Sequence, residues 1–291
     1  MMLIDNFSAS LISILECPLS HTPLRVEGSD LFGSSNIIWK DGDFRCLPTF
    51  TSFQVWRKGQ DSYEKAFSSY STTLTDKQLH SVDEETREIY DQINLSGRVL
   101  DVGGGYGMAG VQARVHPENY ISIDPMVCLW NQLDLHRPFA NHYKTAANFV
   151  RIPGVAERLP FVNGLFDTVH MRSCIDHFAD PLAALIEARR VLKDSGKLVI
   201  GIALEHAVKL TGYRFKDGVK KLVKCSLIGE IYERFFDPHM FHPTEKGMKE
   251  LLINGGFRVN KIVWQSGYFN VIYIEAVPVQ FSPNSYSLSI L

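Results

Sequence analysis

The stretch VLDVGGGYGMAG at 99–110 constrains this chain more than any other. A short apolar strand runs into a loop where four of five successive residues (Gly103, Gly104, Gly105 and Gly107) are glycine. Backbone stripped of Cβ in this way serves positive φ or close approach to a ligand. Two cofactors compete for such a loop. Gly105, Gly107 and Gly110 satisfy G-x-G-x-x-G, and Asp124 lies 19 residues after Gly105, where a dinucleotide enzyme keeps its ribose-binding acid. The other reading is D-x-G-x-G-x-G over Asp101, Gly103, Gly105 and Gly107, which leaves the following helix N-terminus facing a carboxylate. S-adenosylmethionine carries a carboxylate and an ammonium group but no phosphate. Asp101 or a loop carbonyl would accept from that ammonium, whereas an acid at that point repels a pyrophosphate. This favours S-adenosylmethionine, while Asp124 suits both ribose hydroxyls in either reading.

The segments around the loop give the fold class. RVLDV, YISID, NFVRI, FDTVHM and KLVIGIAL are short β-rich runs separated by helical or loop segments, the pattern of a parallel doubly wound α/β sheet. Ser81, followed by Asp83, Glu84 and Glu85, predicts a helix start, with its end near Asn94. Asp180 and Pro181 open a second helix, with Leu185, Ile186 and Leu192 as its inner stripe and Gly196 as its stop. Thr244 opens a third that ends at Gly255-Gly256, and FRVNKIVWQ with YFNVIYIEAV predicts a terminal antiparallel hairpin. The expected architecture is a Rossmann-like, mostly parallel seven-stranded sheet with that hairpin, preceded by a small β-rich module. The expected division is 1–52 for the module and 53–291 for the main domain, with an insertion at 205–242. Aromatics in 51–80 (Phe53, Trp56, Tyr63, Phe67, Tyr70) suit packing more than a lid over a cleft.

Charge and cysteine content narrow the partners. Thirty basic residues against 32 acidic give a formal net charge of −2, which does not advertise a polyanionic partner such as nucleic acid. Five scattered cysteines favour reduced thiols and a cytoplasmic protein. The N-terminus lacks the basic flank and small-residue cleavage site of a signal peptide, and no apolar run is long enough to span a bilayer.

Taken in order, VLDVGGGYG, ISIDP, AERLPFVNGLFDTV, DHFADPLAALIEARRVLKDSGKLVI and HPTEKGMKELLINGGF resemble the class I S-adenosylmethionine-dependent methyltransferases of the ubiquinone and menaquinone biosynthesis group. The resemblance runs from about Val99 to Gly256 and implies transfer of a methyl group from S-adenosylmethionine to an oxygen, carbon or nitrogen of a small molecule. It implies a cofactor site at Asp101, Gly103, Gly105, Gly107, Asp124, Pro125, Arg172 and Ser173. The family usually has G-D-A-E ahead of L-P-F, with the acid accepting from the adenine amine. Here Val155 follows Gly154, leaving the Ala156 N–H for the ring and Glu157 as a substitute acceptor. The departure at Val155 leaves open a protein that binds the cofactor without transferring methyl. CPLSHTPL with KDGDFRCLPTF is similar to the zinc-ribbon-like module of methyltransferase activators, but Cys17 pairs with Ser20 and no second C-x-x-C follows, so no metal is expected there.

Methyl transfer is an in-line displacement, so positioning and exclusion of water carry much of the catalysis. A hydroxyl, phenol or enol acceptor also needs a base. MRSCIDHF, after the fourth strand, puts Arg172, Ser173, Asp176 and His177 at the carboxyl end of the sheet. His177 is the candidate base, and Asp176 and Arg172 are candidates for orienting the acceptor. Asp237, His239 and His242 suggest metal ligands, but the resemblance implies local hydrogen bonding there and no metal. Lys216, Lys220, Lys221 and Lys224 read as a solvated face that an anionic substrate would suit.

Overall fold

The computed structural model describes residues 9–28, 30–34, 36–40, 43–45, 57, 59–61, 75–125, 142–205, 239–266 and 270–279. The aromatics of 53–70, Cys46, Cys128, Cys225, the four insertion lysines and Asp237 lie outside the described residues. β1 (Arg25–Glu27), β2 (Asp30–Phe32), β3 (Ile37–Lys40) and β4 (Asp43–Phe44) form a four-stranded antiparallel sheet. Its inner residues Leu31, Ile38 and Trp39 are fully buried and share one apolar cluster with Leu100, Ile123 and Phe161 of the main domain. The Trp39 indole donates to the Pro153 carbonyl at 3.0 Å, and Arg190 meets Glu16 at 2.8 Å. Cys17, read in the sequence as half of a degraded zinc pair, is buried, and His21 beside it lies 2.7 Å from Glu16.

The main sheet uses β5 (Val99–Val102), β6 (Tyr120–Asp124), β7 (Val150–Pro153), β8 (Phe166–Arg172), β9 (Leu192–Ala203), β10 (Phe257–Trp264) and β11 (Val271–Pro278). Their order across it is β10-β11-β9-β8-β5-β6-β7. β5 to β9 run parallel, and β11 is antiparallel to both β9 and β10. Every residue of β5 and β6 is buried, which is why these strands read as near-continuous apolar runs. Successive strands step outward from β5 through β6 to β7, then restart on its other side with β8 and β9. The carboxyl ends of β5 and β8 therefore flank the topological switch point, where doubly wound sheets bind ligands.

Helix boundaries depart from sequence expectation in two places. The first long helix spans Asp76–Gln92, five residues ahead of the expected start at Ser81. Thr75 caps it reciprocally with Gln78, a capping box that outcompetes the later serine. The helix expected from Asp180 spans Pro181–Val191, with the Asp180 carboxylate accepting from the Ala183 N–H at 3.0 Å. Its inner face is Ala184, Leu185, Ala188 and Val191; Ile186 is 53% exposed and Leu192 already belongs to β9. Gly196 likewise sits inside β9 rather than at the helix end. The Glu245–Asn254 helix, capped by Thr244, and the terminal hairpin stand as expected. Among the described residues no helix is long and apolar enough to cross a membrane.

The Asp76–Gln92 helix is held to the domain by a buried acid. Asp83 is 1% exposed and accepts from Gln112 at 2.8 Å and from the Tyr143 hydroxyl at 2.7 Å, with His142 Nε2 at 2.7 Å. Burial alone would raise this carboxyl, but the hydrogen bonds from Gln112, Tyr143 and His142 outweigh it and hold the acid below its ordinary value. A depressed acid stabilises the fold above its unfolded pKa of about 3.9 and loses that contribution as pH falls through the native value. Asp83→Asn is expected to cost about 2–4 kcal/mol in urea unfolding at pH 7, with a smaller deficit at pH 3. A deficit unchanged between the two pH values would show that the carboxylate charge is not what holds the helix.

Candidate active site

The glycine loop after β5 is the first part of the site. Gly103, Gly105 and Gly107 have φ of +66, +52 and +93°, a region that costs an L-residue about 1–2 kcal/mol. A Cβ on Gly103 would also lie 2.7 Å from Cys174 Cβ, in the loop after β8. The Cys174 thiol in turn donates to the Val102 carbonyl at 3.2 Å, so the two switch-point loops are in direct contact. The Gly103 N–H donates to Ile123 at 2.8 Å and the Gly105 N–H to Asp124 Oδ2 at 3.1 Å, which ties the loop to the end of β6. The helix that follows, Met108–Gln112, has only five residues. The loop is therefore not followed by a long helix dipole.

Asp101 sits beneath this loop, 1% exposed, with both oxygens engaged. Oδ1 lies 2.7 Å from His170 Nδ1, and Oδ2 accepts a short hydrogen bond from the Tyr120 hydroxyl. His170 is the register partner of Asp101 on β8, and its Nε2 lies 3.1 Å from the Tyr90 hydroxyl. With Nδ1 protonated, Nε2 is the acceptor for Tyr90, so one imidazole joins the acid to the Asp76–Gln92 helix. Of the two ammonium acceptors considered from the sequence, this geometry turns Asp101 inward and favours the loop carbonyls. Burial, then the nearby carboxylates Asp101, Asp176 and Asp124, push the Cys174 thiol well above its ordinary value. The three acids thus converge on one residue.

The remaining expected residues fall into three groups. Asp124 is 8% exposed at the β6 terminus, with Pro125 exposed just beyond it. Val155 and Ala156 are buried at 2% and 4%, after the end of β7. Glu157 accepts from the Ala179 and Asp180 N–H groups at 2.8 and 3.2 Å, and burial raises its carboxyl despite them. It braces the turn into the Pro181–Val191 helix. Ser173, at φ +50°, is exposed. Arg172 donates to Gln112 at 2.7 Å and to Thr86 at 3.4 Å, joining the polar network around Asp83. That engagement argues against its expected part in orienting an acceptor.

Asp176 and His177 come together with a partner that the sequence reading had assigned to local hydrogen bonding. The His177 and His239 rings stack with centroids 4.6 Å apart, and His239 Nε2 lies 3.6 Å from Asp176 Oδ2. The Met240 N–H donates to the Asp176 carbonyl at 2.7 Å, fixing the segment before the last helix over the loop after β8. The sequence reading also missed His170, Tyr120 and Tyr90. Their only signal was a polar residue inside strand or helix stretches otherwise read as core.

A sheet of this order, with a D-x-G-x-G-x-G loop at its switch point and an acid ending the next strand, defines a class I S-adenosylmethionine-dependent methyltransferase. Residues 76–262 match the family model described as a methyltransferase domain, and the chain belongs to that family. Its cofactor is S-adenosylmethionine, so the dinucleotide reading of the glycines falls. Over 185 residues the chain is 26% identical to a ubiquinone/menaquinone biosynthesis C-methyltransferase of Geotalea uraniireducens, covering 61% of this chain and 77% of that one. A tRNA U34 carboxymethyltransferase of Psychrobacter is 31% identical over 199 residues, covering 61% of this chain and 55% of that one. Among solved structures, an S-adenosylmethionine-dependent methyltransferase of Thermotoga maritima, titled a possible histamine N-methyltransferase, aligns with a TM-score of 0.46 and 18% identity over 78% of this chain and 99% of that one.

Gly103→Ala tests the loop geometry. It is expected to cost about 1–2 kcal/mol for the φ of +66° and, because its Cβ meets Cys174, to weaken S-adenosylhomocysteine binding at least ~10-fold by calorimetry. Gly28→Ala is the control: at φ +62° with nothing within 4 Å of the added Cβ, it should lose comparable stability and no affinity. Equal affinities for all three proteins would remove Gly103 from the binding site.

Proposed function

We propose that the chain methylates a small molecule bearing an ionisable hydroxyl, phenol or enol, by in-line displacement at the switch point. The observation that carries this reading is the contact of the two switch-point loops, where Gly103 packs on Cys174 and the Cys174 thiol donates to Val102, with Asp124 tied to Gly105. The residues present fit the cofactor. The glycine loop meets the cofactor's amino-acid end with bare backbone: the N–H groups of Gly103, Gly105 and Gly107 donate to Ile123, Asp124 and Gly104 and so shape the loop, and its carbonyls accept from the ammonium. The Asp124 carboxylate has about four acceptor directions, so the bond from Gly105 does not by itself exhaust it, and it takes the ribose hydroxyls. Pro125 borders the sugar. Val155 and Ala156 supply an apolar wall and a backbone N–H for the adenine, and Ser173 lies at the mouth. Asp101, Glu157 and Arg172 are positioning residues that hold these loops.

Bound there, S-adenosylmethionine supplies an electrophilic methyl on a sulfonium. The loop after β8 carries the groups that meet the acceptor. His177 takes the proton that the acceptor loses, and Asp176 orients the acceptor from below. A small-molecule acceptor is supported by the Geotalea relative, whose name makes it a C-methyltransferase of ubiquinone and menaquinone biosynthesis. The tRNA-directed relative points to a nucleic acid instead, but the formal net charge of −2 argues against it.

Calorimetry with S-adenosylhomocysteine is expected to show binding, and Asp124→Ala to weaken it ~10–100-fold, the loss of charge-assisted hydrogen bonds to a diol. Unaltered affinity in that variant would remove Asp124 from the sugar site. With a hydroquinone panel as acceptor, His177→Ala should lower kcat ~100-fold while leaving S-adenosylhomocysteine affinity within about 2-fold. Transfer to tRNA and to none of the panel would overturn the small-molecule reading.

A further inference from the structure

Three polar side chains at the mouth of the site form a set that methyl transfer alone does not require. Asp176 is buried, 7% exposed, and among the described residues its Oδ1 has no hydrogen-bond partner. A buried carboxylate oxygen without a partner costs more than most folds tolerate unless something positive is meant to stand there. Its other oxygen is 3.6 Å from His239 Nε2, too long for a hydrogen bond but close to the separation between two ligands of one metal ion. Ligand atoms about 2.1 Å from a tetrahedral ion lie about 3.4 Å from one another. One ligand atom from each of Asp176, His177 and His239 lies within 4.8 Å of the others. The rings stack nearly parallel, 4.6 Å apart and inclined by 30°.

We infer that Asp176, His177 and His239 bind one divalent transition cation of the zinc class, leaving its open positions for water or an acceptor oxygen. The ligand set argues for this class: two imidazoles and one carboxylate suit zinc, cobalt, manganese or iron, whereas magnesium and calcium favour all-oxygen shells. Three protein ligands with an open position is also the arrangement of a catalytic rather than a structural metal. The location gives it a use. Cys174, two residues before Asp176, touches the glycine loop, so the cation stands next to the methyl donor. An acceptor hydroxyl bound to it would release its proton to water before transfer. The oxygen–methyl bond then forms as the methyl–sulfur bond breaks, its electron pair staying on sulfur to leave neutral S-adenosylhomocysteine. In this form His177 is a ligand, and the cation takes over the ionisation otherwise assigned to His177.

The inference rests on the proposed acceptor chemistry for its purpose but not for its test. The full-length protein is freed of metal by chelator dialysis, then titrated with zinc by calorimetry and with cobalt by visible absorption. The expected result is one equivalent bound with Kd below about 10 μM, and cobalt bands of a site with nitrogen and oxygen ligands. Asp176→Asn and His239→Ala should each weaken zinc binding at least ~10-fold while circular dichroism and S-adenosylhomocysteine affinity stay as in the parent. Absence of binding, or equal binding by parent and variants, overturns the inference. Loss of S-adenosylhomocysteine binding in the parent would sink the cofactor reading, and site-specific zinc binding without transfer to any hydroxylated acceptor would sink the acceptor reading instead.

Discussion

The carboxylate of Asp101 is the interaction on which the rest of the site depends. It lies in the middle of the sheet, almost without solvent, and a charge there persists only if its oxygens are met by good donors. Tyr120 supplies one partner from β6 and His170 the other from β8. The site draws its parts from these same three strands. β5 ends in the glycine loop, β6 ends in Asp124, and β8 leads into Ser173, Asp176 and His177. A single acid thus links the three strands whose end loops meet where Gly103 packs closely on Cys174. The motif acid is better understood as the keystone of the loops than as a direct ligand.

The sheet was legible in the sequence because parallel strands buried on both faces become short apolar runs, and β5, β6 and β8 were found where those runs stand. The glycine loop was legible because three of its residues need positive φ. What escaped was set by pairing across long separations. His170 next to Asp101 is a consequence of strand order, since β8 follows β5 in space after two intervening strands in the chain. Arg172 reads as a site cation until the fold turns it towards Gln112 and Thr86. Ser81 looks like a cap until Thr75 and Gln78 close a better one. Each error has the same physical form: a local signal was true of the residue but overruled by a partner far away in sequence.

The N-terminal residues illustrate how far packing can outlast motif. The sequence keeps only part of a zinc-ribbon pattern, and Cys17 is a buried thiol. The four-stranded sheet is held instead by apolar burial of Leu31, Ile38 and Trp39 and by the Trp39 hydrogen bond to Pro153. Pro153 is the last residue of β7 and directly precedes Gly154 and Val155, the start of the proposed adenine wall. The small sheet is thereby tied to the end of β7, one of the strands that carry the site.

Two designs for ionising an acceptor meet at the loop after β8, and their electrostatic demands differ. A histidine base works best when its imidazolium, formed during transfer, has a carboxylate in hydrogen-bond contact, as paired acid and imidazole have in nucleophilic enzymes. Asp176 is close to His239 but not in such contact at 3.6 Å, and its buried Oδ1 meets no donor among the described residues. A cation satisfies that oxygen, engages both imidazoles, and offsets the negative charge of Asp176 and the nearby Asp101 and Asp124. The same cluster of negative charge would also help hold a sulfonium, so adding one compact positive charge beyond it separates the two tasks: acids on the donor side, metal on the acceptor side. That polarity follows the direction in which charge moves when a methyl cation equivalent leaves sulfur for oxygen, which is why the buried carboxylate at 176 and the histidine from the segment before the last helix belong to one device.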